Sequence, residues 1–189
     1  MRLSCLLPAL FGLPALSALV NIEFPHLLIP LKSAEPDTAF KTLNDATVSY
    51  NSKTGNQVWT GVNFDVHDIN GTTCRLRFLV NTNSYHNPPF SLKGEAPFAI
   101  NISRIEPKLV NGATTWNNKP AIIEHYDTYI LSTASATEIV SRWFQCPAGR
   151  VAQFYVHAGS RRDLEVYWYE LNYAASEGGP HGIVLEMYD

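Results

Sequence analysis

The stretch Val58–Val66 alternates residue by residue: Val62, Phe64 and Val66 point one way, Asn63 and Asp65 the other. A two-residue period belongs to a strand with one buried face, because successive side chains leave opposite sides of the pleat. The same period returns along the chain. Cys74, Leu76, Phe78 and Val80 share a face, with Arg75 and Arg77 opposite. Phe98, Ile100, Ile102 and Arg104 alternate with Ala99, Asn101 and Ser103, and Leu164, Val166 and Trp168 alternate with Glu165, Tyr167 and Tyr169. Phe24–Leu31, Thr128–Leu131, Ser141–Cys146, Val151–His157, Leu164–Leu171 and Gly182–Met187 are further β-branched and aromatic runs bounded by turn residues. Pro25 and Pro30 assign the first of these to a sheet edge, where a missing N–H is tolerated. Thr133–Val140 reads equally as a helical turn or as a strand connection, and the longer loops are Asn81–Pro97, Pro107–Asp127 and Asn172–His181. Many short strands without alternating helices predict an all-β fold, an antiparallel β-sandwich of jelly-roll-like form.

The N-terminus reads as an address. Met1 and Arg2 precede an apolar run, Leu3–Leu13, followed by Pro14 and the small residues Ala15, Ser17 and Ala18. That layout is a secretory signal peptide, and the run is too short for a membrane span. We assign residues 1–18 to the signal, with cleavage after Ser17 or Ala18, and residues 19–189 to a single domain. The expected location is extracellular, with the cell wall as one destination. Cys5 falls in the signal, leaving Cys74 and Cys146. In an oxidising compartment two such cysteines join by default, with an intermolecular bond or two free thiols as the alternatives. Asn70-Gly71-Thr72 and Asn101-Ile102-Ser103 are glycosylation sequons; the first adjoins a turn, and the strand phase turns Asn101 outward.

Charge excludes one class of partner. The net charge is −3, there is no basic run, and the only basic pair, Arg161-Arg162, is followed by Asp163. Nucleic-acid binding needs clustered Lys and Arg, so none is expected. Metalloprotease, nucleophile-elbow, phosphate-loop, dinucleotide and EF-hand patterns are absent. The densest ionisable group is Asp65-Val66-His67-Asp68, whose Asp65 and His67 share a strand face. One Asp/His pair lacks a third group to orient it, so a solvated strand end is the better reading. His26 reads as structural, and His125, His157 and His181 are scattered. Glu124, Glu165 and Glu170 are carboxylates without a spacing that marks glycoside hydrolysis. Two cysteines cannot complete a zinc site. No catalytic residue, metal ligand or cofactor is assigned. Trp59, Trp116, Trp143 and Trp168 are either core residues or, if two or more lie exposed in a row, a platform for sugar rings.

Phe24-Pro25-His26-Leu27-Leu28-Ile29-Pro30, Pro36-Asp37-Thr38, Gly71-Thr72-Thr73-Cys74, Phe144-Gln145-Cys146-Pro147-Ala148-Gly149 and Gly182-Ile183-Val184-Leu185 occur in that order. Together they resemble a fungal secreted family, the But2 C-terminal-domain family, named for a binder of the NEDD8-activating enzyme. The resemblance implies a β-sandwich, a Cys74–Cys146 bridge and no catalytic residues. The partner in the name is intracellular, which conflicts with the signal peptide. Thr114-Thr115-Trp116-Asn117-Asn118-Lys119-Pro120 is similar to a run in DNRLRE domains, extracellular jelly rolls related to carbohydrate-binding modules. Physically it is a turn in which Trp116 anchors the loop, the asparagines bond backbone and Pro120 fixes the exit. The expected function is a non-catalytic extracellular binding module for polysaccharide or protein. The alternatives are a structural or effector-like protein with a protein partner, and an unrecognised hydrolase.

Overall fold

The computed structural model describes residues 17–189, so the expected signal peptide lies almost wholly outside the described residues. The strands are β1 (Leu19–Glu23), β2 (Leu27–Lys32), β3 (Asp45–Tyr50), β4 (Gln57–Val66), β5 (Thr73–Leu79), β6 (Phe90–Gly94), β7 (Phe98–Ile105), β8 (Ile122–Leu131), β9 (Ala136–Val140), β10 (Phe144–Gln145), β11 (Arg150–Ala158), β12 (Leu164–Tyr169) and β13 (Gly182–Tyr188). A three-residue 3₁₀ turn at Ala175–Glu177 is the only helical element among the described residues. Every pairing is antiparallel. The small sheet runs β1-β13-β5-β10, and the large one β6-β12-β3-β4-β11-β7-β8-β9 with β2 also on β4. This is the expected all-β sandwich.

The large sheet branches at β4. Val58 is paired with both Lys32 of β2 and Ser49 of β3, and Thr60 with both Pro30 of β2 and Val156 of β11. A strand has two edges, so β2 holds one, while β11 and β3 divide the other. From there β11-β7-β8-β9 extends one way and β3-β12-β6 the other.

The alternation read from sequence decides which faces meet. Val62, Phe64 and Val66 join Cys74, Leu76, Phe78, Ile100, Ile102, Phe154, Val166, Trp168, Ile183 and Leu185 in one core between the sheets. The opposite face of the large sheet is apolar as well. Ile29, Leu31, Ile105, Leu109 and Tyr155 form a second cluster, with Trp59 and Trp116 against it. Loop 106–121 covers it. Buried polar groups pin that loop: the Gln153 carboxamide accepts from the Leu109 N–H at 2.8 Å and donates to Asn63 Oδ1 at 2.8 Å, while the Tyr155 hydroxyl donates to the Pro120 carbonyl at 2.9 Å. The loop lies so close that a Cβ at Gly61 would stand 3.2 Å from a Leu109 methyl.

Sequence reasoning missed β1, β3 and β6. Residues 133–140, read as a helical turn or a connection, end in strand β9. The expected loop Pro107–Asp127 gives its last third to β8, and Asn81–Pro97 contains β6.

Cys74 and Cys146 are bonded, with Cα atoms 5.0 Å apart across 72 residues. Cys74 faces Phe144 in the β5–β10 ladder, so the bridge ties down a sheet end whose strand has only two paired residues. Replacing both cysteines by alanine is expected to lower stability by roughly 4 kcal/mol on the chain-entropy account. Chemical denaturation of the oxidised wild type and the double variant checks this, and matching midpoints with matching slopes would refute it.

Candidate functional site

The residues with chemical potential separate into small groups. His67 Nδ1 meets Glu23 Oε1 at 2.7 Å, and His26 Nδ1 meets Asp65 Oδ2 at 3.3 Å. Asp65 and His67 thus serve two different partners rather than one reaction centre, and both imidazoles are largely solvated. Among the described residues, no group of three or more His, Cys, Asp or Glu side chains is placed to hold a metal ion.

His125 and His157 do approach one another, on the outer face of the large sheet. The pairing of Ser103 with His125 and Tyr155, and of Asn101 with His157 and Thr128, puts these side chains side by side. His125 Nε2 lies 3.0 Å from the Thr128 hydroxyl, which donates to Asn101 Oδ1 at 2.9 Å. His157 Nε2 lies 3.0 Å from the Ser103 hydroxyl, and its ring packs on Trp59 at 5.0 Å. Burial lowers the pKa of both imidazoles, with Arg142 adding to the effect at His125. A serine against an imidazole is the start of a nucleophilic site. Here Ser103 is only 2% exposed, and His157 Nδ1 faces its neighbour's carbonyl, Ala158 O, rather than a carboxylate. The contact reads as a satisfied polar pair. His181 lies elsewhere, beside Phe90.

The carboxylates are dispersed too. Glu124 pairs with Arg142, and Glu165 pairs with Lys93 at 2.7 Å. The Glu170 carboxylate is buried under β13, where its Oε2 accepts from the Trp168 indole N–H at 2.9 Å and the Ile183 N–H at 3.1 Å, while Oε1 has no partner among the described residues. Burial pushes its pKa up to about 8. His181, wholly buried nearby in sequence, accepts from the Asn81 N–H through Nδ1, and burial pushes its pKa down to about 4. Asp127 is buried as well and is raised to about 7 by desolvation, against a hydrogen bond from the Arg142 N–H.

None of the tryptophans forms an open platform. Trp168 is fully buried. Trp59 and Trp116 pack edge to face at 4.9 Å, and the Lys119 ammonium stands 3.8 Å over the Trp116 ring, where a sugar would stack. The Thr114–Pro120 run is a pinned turn: Asn118 caps the Thr115 N–H and donates to the Ala113 carbonyl, and Asn117 reaches Asp37. Trp143 is 50% exposed, but Arg75 lies over its ring and Tyr188 against its edge.

Some exposed apolar side chains lie instead on one sheet edge. Ile139 and Val140 on β9 and Trp143 just beyond it are large and exposed, while Ile122 and Ile123 are exposed at the start of β8, outside the Thr128–Leu131 stretch that pairs with β9. β9 ends the sheet and pairs only with β8. Sheet edges are normally blunted by lysine, proline or a covering segment. β6 carries Lys93. β2 carries Pro30, and its Leu28 backbone is met by Thr42 and Leu43. β1 carries Asn21 and Glu23, bonded to one another at 2.7 Å. β9 has no lysine or proline, and its one charged side chain, Glu138, receives the Tyr129 hydroxyl at 3.4 Å. Sequence reasoning missed this edge because the run Ala136–Val140 lacks strict alternation.

Among family models, one described as the ubiquitin 3 binding protein But2 C-terminal domain matches residues 23–172. That is most of the chain, and the chain belongs to this family. The match stops before β13, so the resemblance at Gly182–Leu185 falls outside it. No curated protein matches the chain.

The buried acids set a pH dependence. The Glu170 pKa is raised on folding, so its contribution is complete below about pH 4.5 and is lost as pH rises through about 8. His181 works in the opposite sense, its contribution being complete above about pH 6.5 and lost as pH falls through about 4. Asp127, raised to about 7, contributes in the same sense as Glu170, so Glu170→Gln is expected to reduce the alkaline decline in stability without removing it, and to leave the acid limb in place. Melting temperatures of both proteins across that range test this; parallel alkaline limbs would show that Glu170 does not cause the decline.

Proposed function

We propose that this member of the But2 C-terminal domain family is a secreted, non-catalytic binding module that recognises a protein partner by adding one of its extended segments to β9. The observation that carries the reading is the unprotected edge itself. An open edge offers a row of unpaired N–H and C=O groups, which supply affinity, while flanking side chains supply selectivity. Ile139 and Val140 on β9 lend that edge apolar surface to bury. The family description names a protein binder, which supports a protein partner. Polysaccharide is less favoured because the tryptophan faces are packed or capped by cations.

Secretion is part of the reading, on the signal layout at residues 1–18 and the disulfide. N-terminal sequencing of exported protein is expected to begin at Ala18 or Leu19. Of the two sequons, Asn70 stands exposed in the bend between β4 and β5, whereas Asn101 is half-buried, with its side chain bonded to Thr128. Asn70→Gln is therefore expected to remove an endoglycosidase-sensitive mass shift that Asn101→Gln leaves intact. The reverse result would assign the glycan to Asn101.

A photoreactive side chain at Thr137 on β9 is expected to cross-link a discrete partner protein in the extracellular fraction, whereas the same group at Lys53, exposed in the turn between β3 and β4, does not. Ile139→Lys should abolish the cross-link while altering stability by no more than about 0.5 kcal/mol, as for most exposed substitutions. Cross-linking only to a second copy would make β9 a dimer edge. Failure to cross-link, with saturable retention on chitin, β-glucan, cellulose or mannan, would replace the reading by polysaccharide binding.

A further inference from the structure

Two arginines stand where the strand pattern calls for apolar side chains. Arg104 follows Ile100 and Ile102 on the core-facing side of β7, and its ladder partner on β11 is Phe154, a core residue. Arg150 lies on the same side of β11 as Ala152, Phe154 and Val156, all of the core. Both therefore leave their strands on the core-facing side, at the open end of the sandwich where β10 and the segment after it form the facing wall, and both side chains are exposed there. There they line a hollow of about 470 Å³ with Phe144, Cys146, Pro147 and Ala148.

The charge of this mouth is unanswered. Among the described residues, Arg75 and Arg77 pair with Glu186 and Arg142 pairs with Glu124, but neither Arg104 nor Arg150 has a salt bridge. Arg104 donates to the Tyr126 hydroxyl at 3.2 Å, a neutral partner. The nearby acids are engaged or turned elsewhere. Glu124, opposite Arg104 on β8, is taken by Arg142. Asp65 sits against His26. Asp68 borders an adjoining hollow with Arg150 and makes no salt bridge to it. Two guanidinium groups lining one hollow give it a positive potential, and a ligand that brings negative charge is attracted there.

We infer that this mouth binds a carboxylate, presented by an acidic segment of the protein partner. The inference rests on the protein-binding reading above and adds the partner's charge. A guanidinium fork matches the two oxygens of a carboxylate, and the walls given by Phe144, Pro147 and Ala148 suit the apolar neighbours of an acidic side chain in an extended peptide. Position agrees with this, because only Ser141, Arg142 and Trp143 separate β9 from Phe144. A segment added along the edge continues toward the mouth.

The test is fluorescence anisotropy of the secreted chain with an end-blocked hexapeptide of alternating valine and glutamate, and with its valine/glutamine counterpart. The glutamate peptide is expected to bind and the glutamine peptide to bind at least tenfold more weakly. Arg104→Gln and Arg150→Gln should each weaken the glutamate peptide roughly tenfold, the loss expected for one charge-assisted contact. Added salt should weaken it further. Equal binding of the two peptides, variants that bind like wild type, or no binding of either would overturn the inference. Preference for an oligogalacturonate over the glutamate peptide would overturn it in favour of an acidic sugar. The two proposals fail separately. Arginine-dependent peptide binding without a cross-link from Thr137 removes only strand addition, and a cross-link without arginine dependence removes only the carboxylate site.

Discussion

The large sheet is apolar on both faces, and the rest of the structure follows from that. A sheet that buries one face needs a single cover, whereas this one needs two. The small sheet supplies the first, closing the main core over Val62, Phe64 and Phe154. Loop 106–121 supplies the second, and a loop is a poor cover unless its backbone is satisfied. Here the buried pair Gln153 and Asn63 does that, by holding the Leu109 N–H from beneath. Gly61 permits the close approach, and Tyr155 fixes the exit at Pro120.

This second cover explains the fate of the aromatic residues. Trp59 and Trp116 are drawn into the seam between sheet and loop, where packing against Tyr155 and His157 uses faces that would otherwise meet a ligand. Ser103 and His157, whose contact resembles the start of a catalytic pair, lie on the same covered face. The cover does not reach β8 and β9. Ile139 and Val140 are exposed at that end, and the strand that terminates the large sheet there lacks the lysine or proline carried by β2 and β6.

How much of this was legible in the sequence depended on where each residue's neighbours lie. The runs Val58–Val66 and Leu164–Leu171 gave those strands to within two residues, since one buried face writes itself into a two-residue period. β3 was missed because Ala46 and Val48, its only buried side chains, alternate with threonine and serine too weakly to stand out. β9 was missed because a bulge opposite Thr128 and Tyr129 interrupts its period. The Cys74–Cys146 bond could be expected from arithmetic alone. The burial of Glu170 and His181 could not, because both depend on β13 and the Asn81 segment, far away in sequence.

Arg104 is the instructive case. In sequence it simply continues the alternation of Phe98, Ile100 and Ile102, and a charged residue in an apolar phase usually marks the point where a strand leaves the core. The ladder shows that β7 continues to Ile105, with a bulge on either side of the Ser103–Arg104 step, and that Phe154 still faces Arg104. The cation is therefore held at the end of the interior by a strand that has not yet ended. Arg150, at the first residue of β11, reaches the same place from the other direction. Two strands meeting there with guanidinium groups that have no acidic partner among the described residues make the end of the sandwich a place prepared for negative charge, near an edge of the large sheet open to another chain.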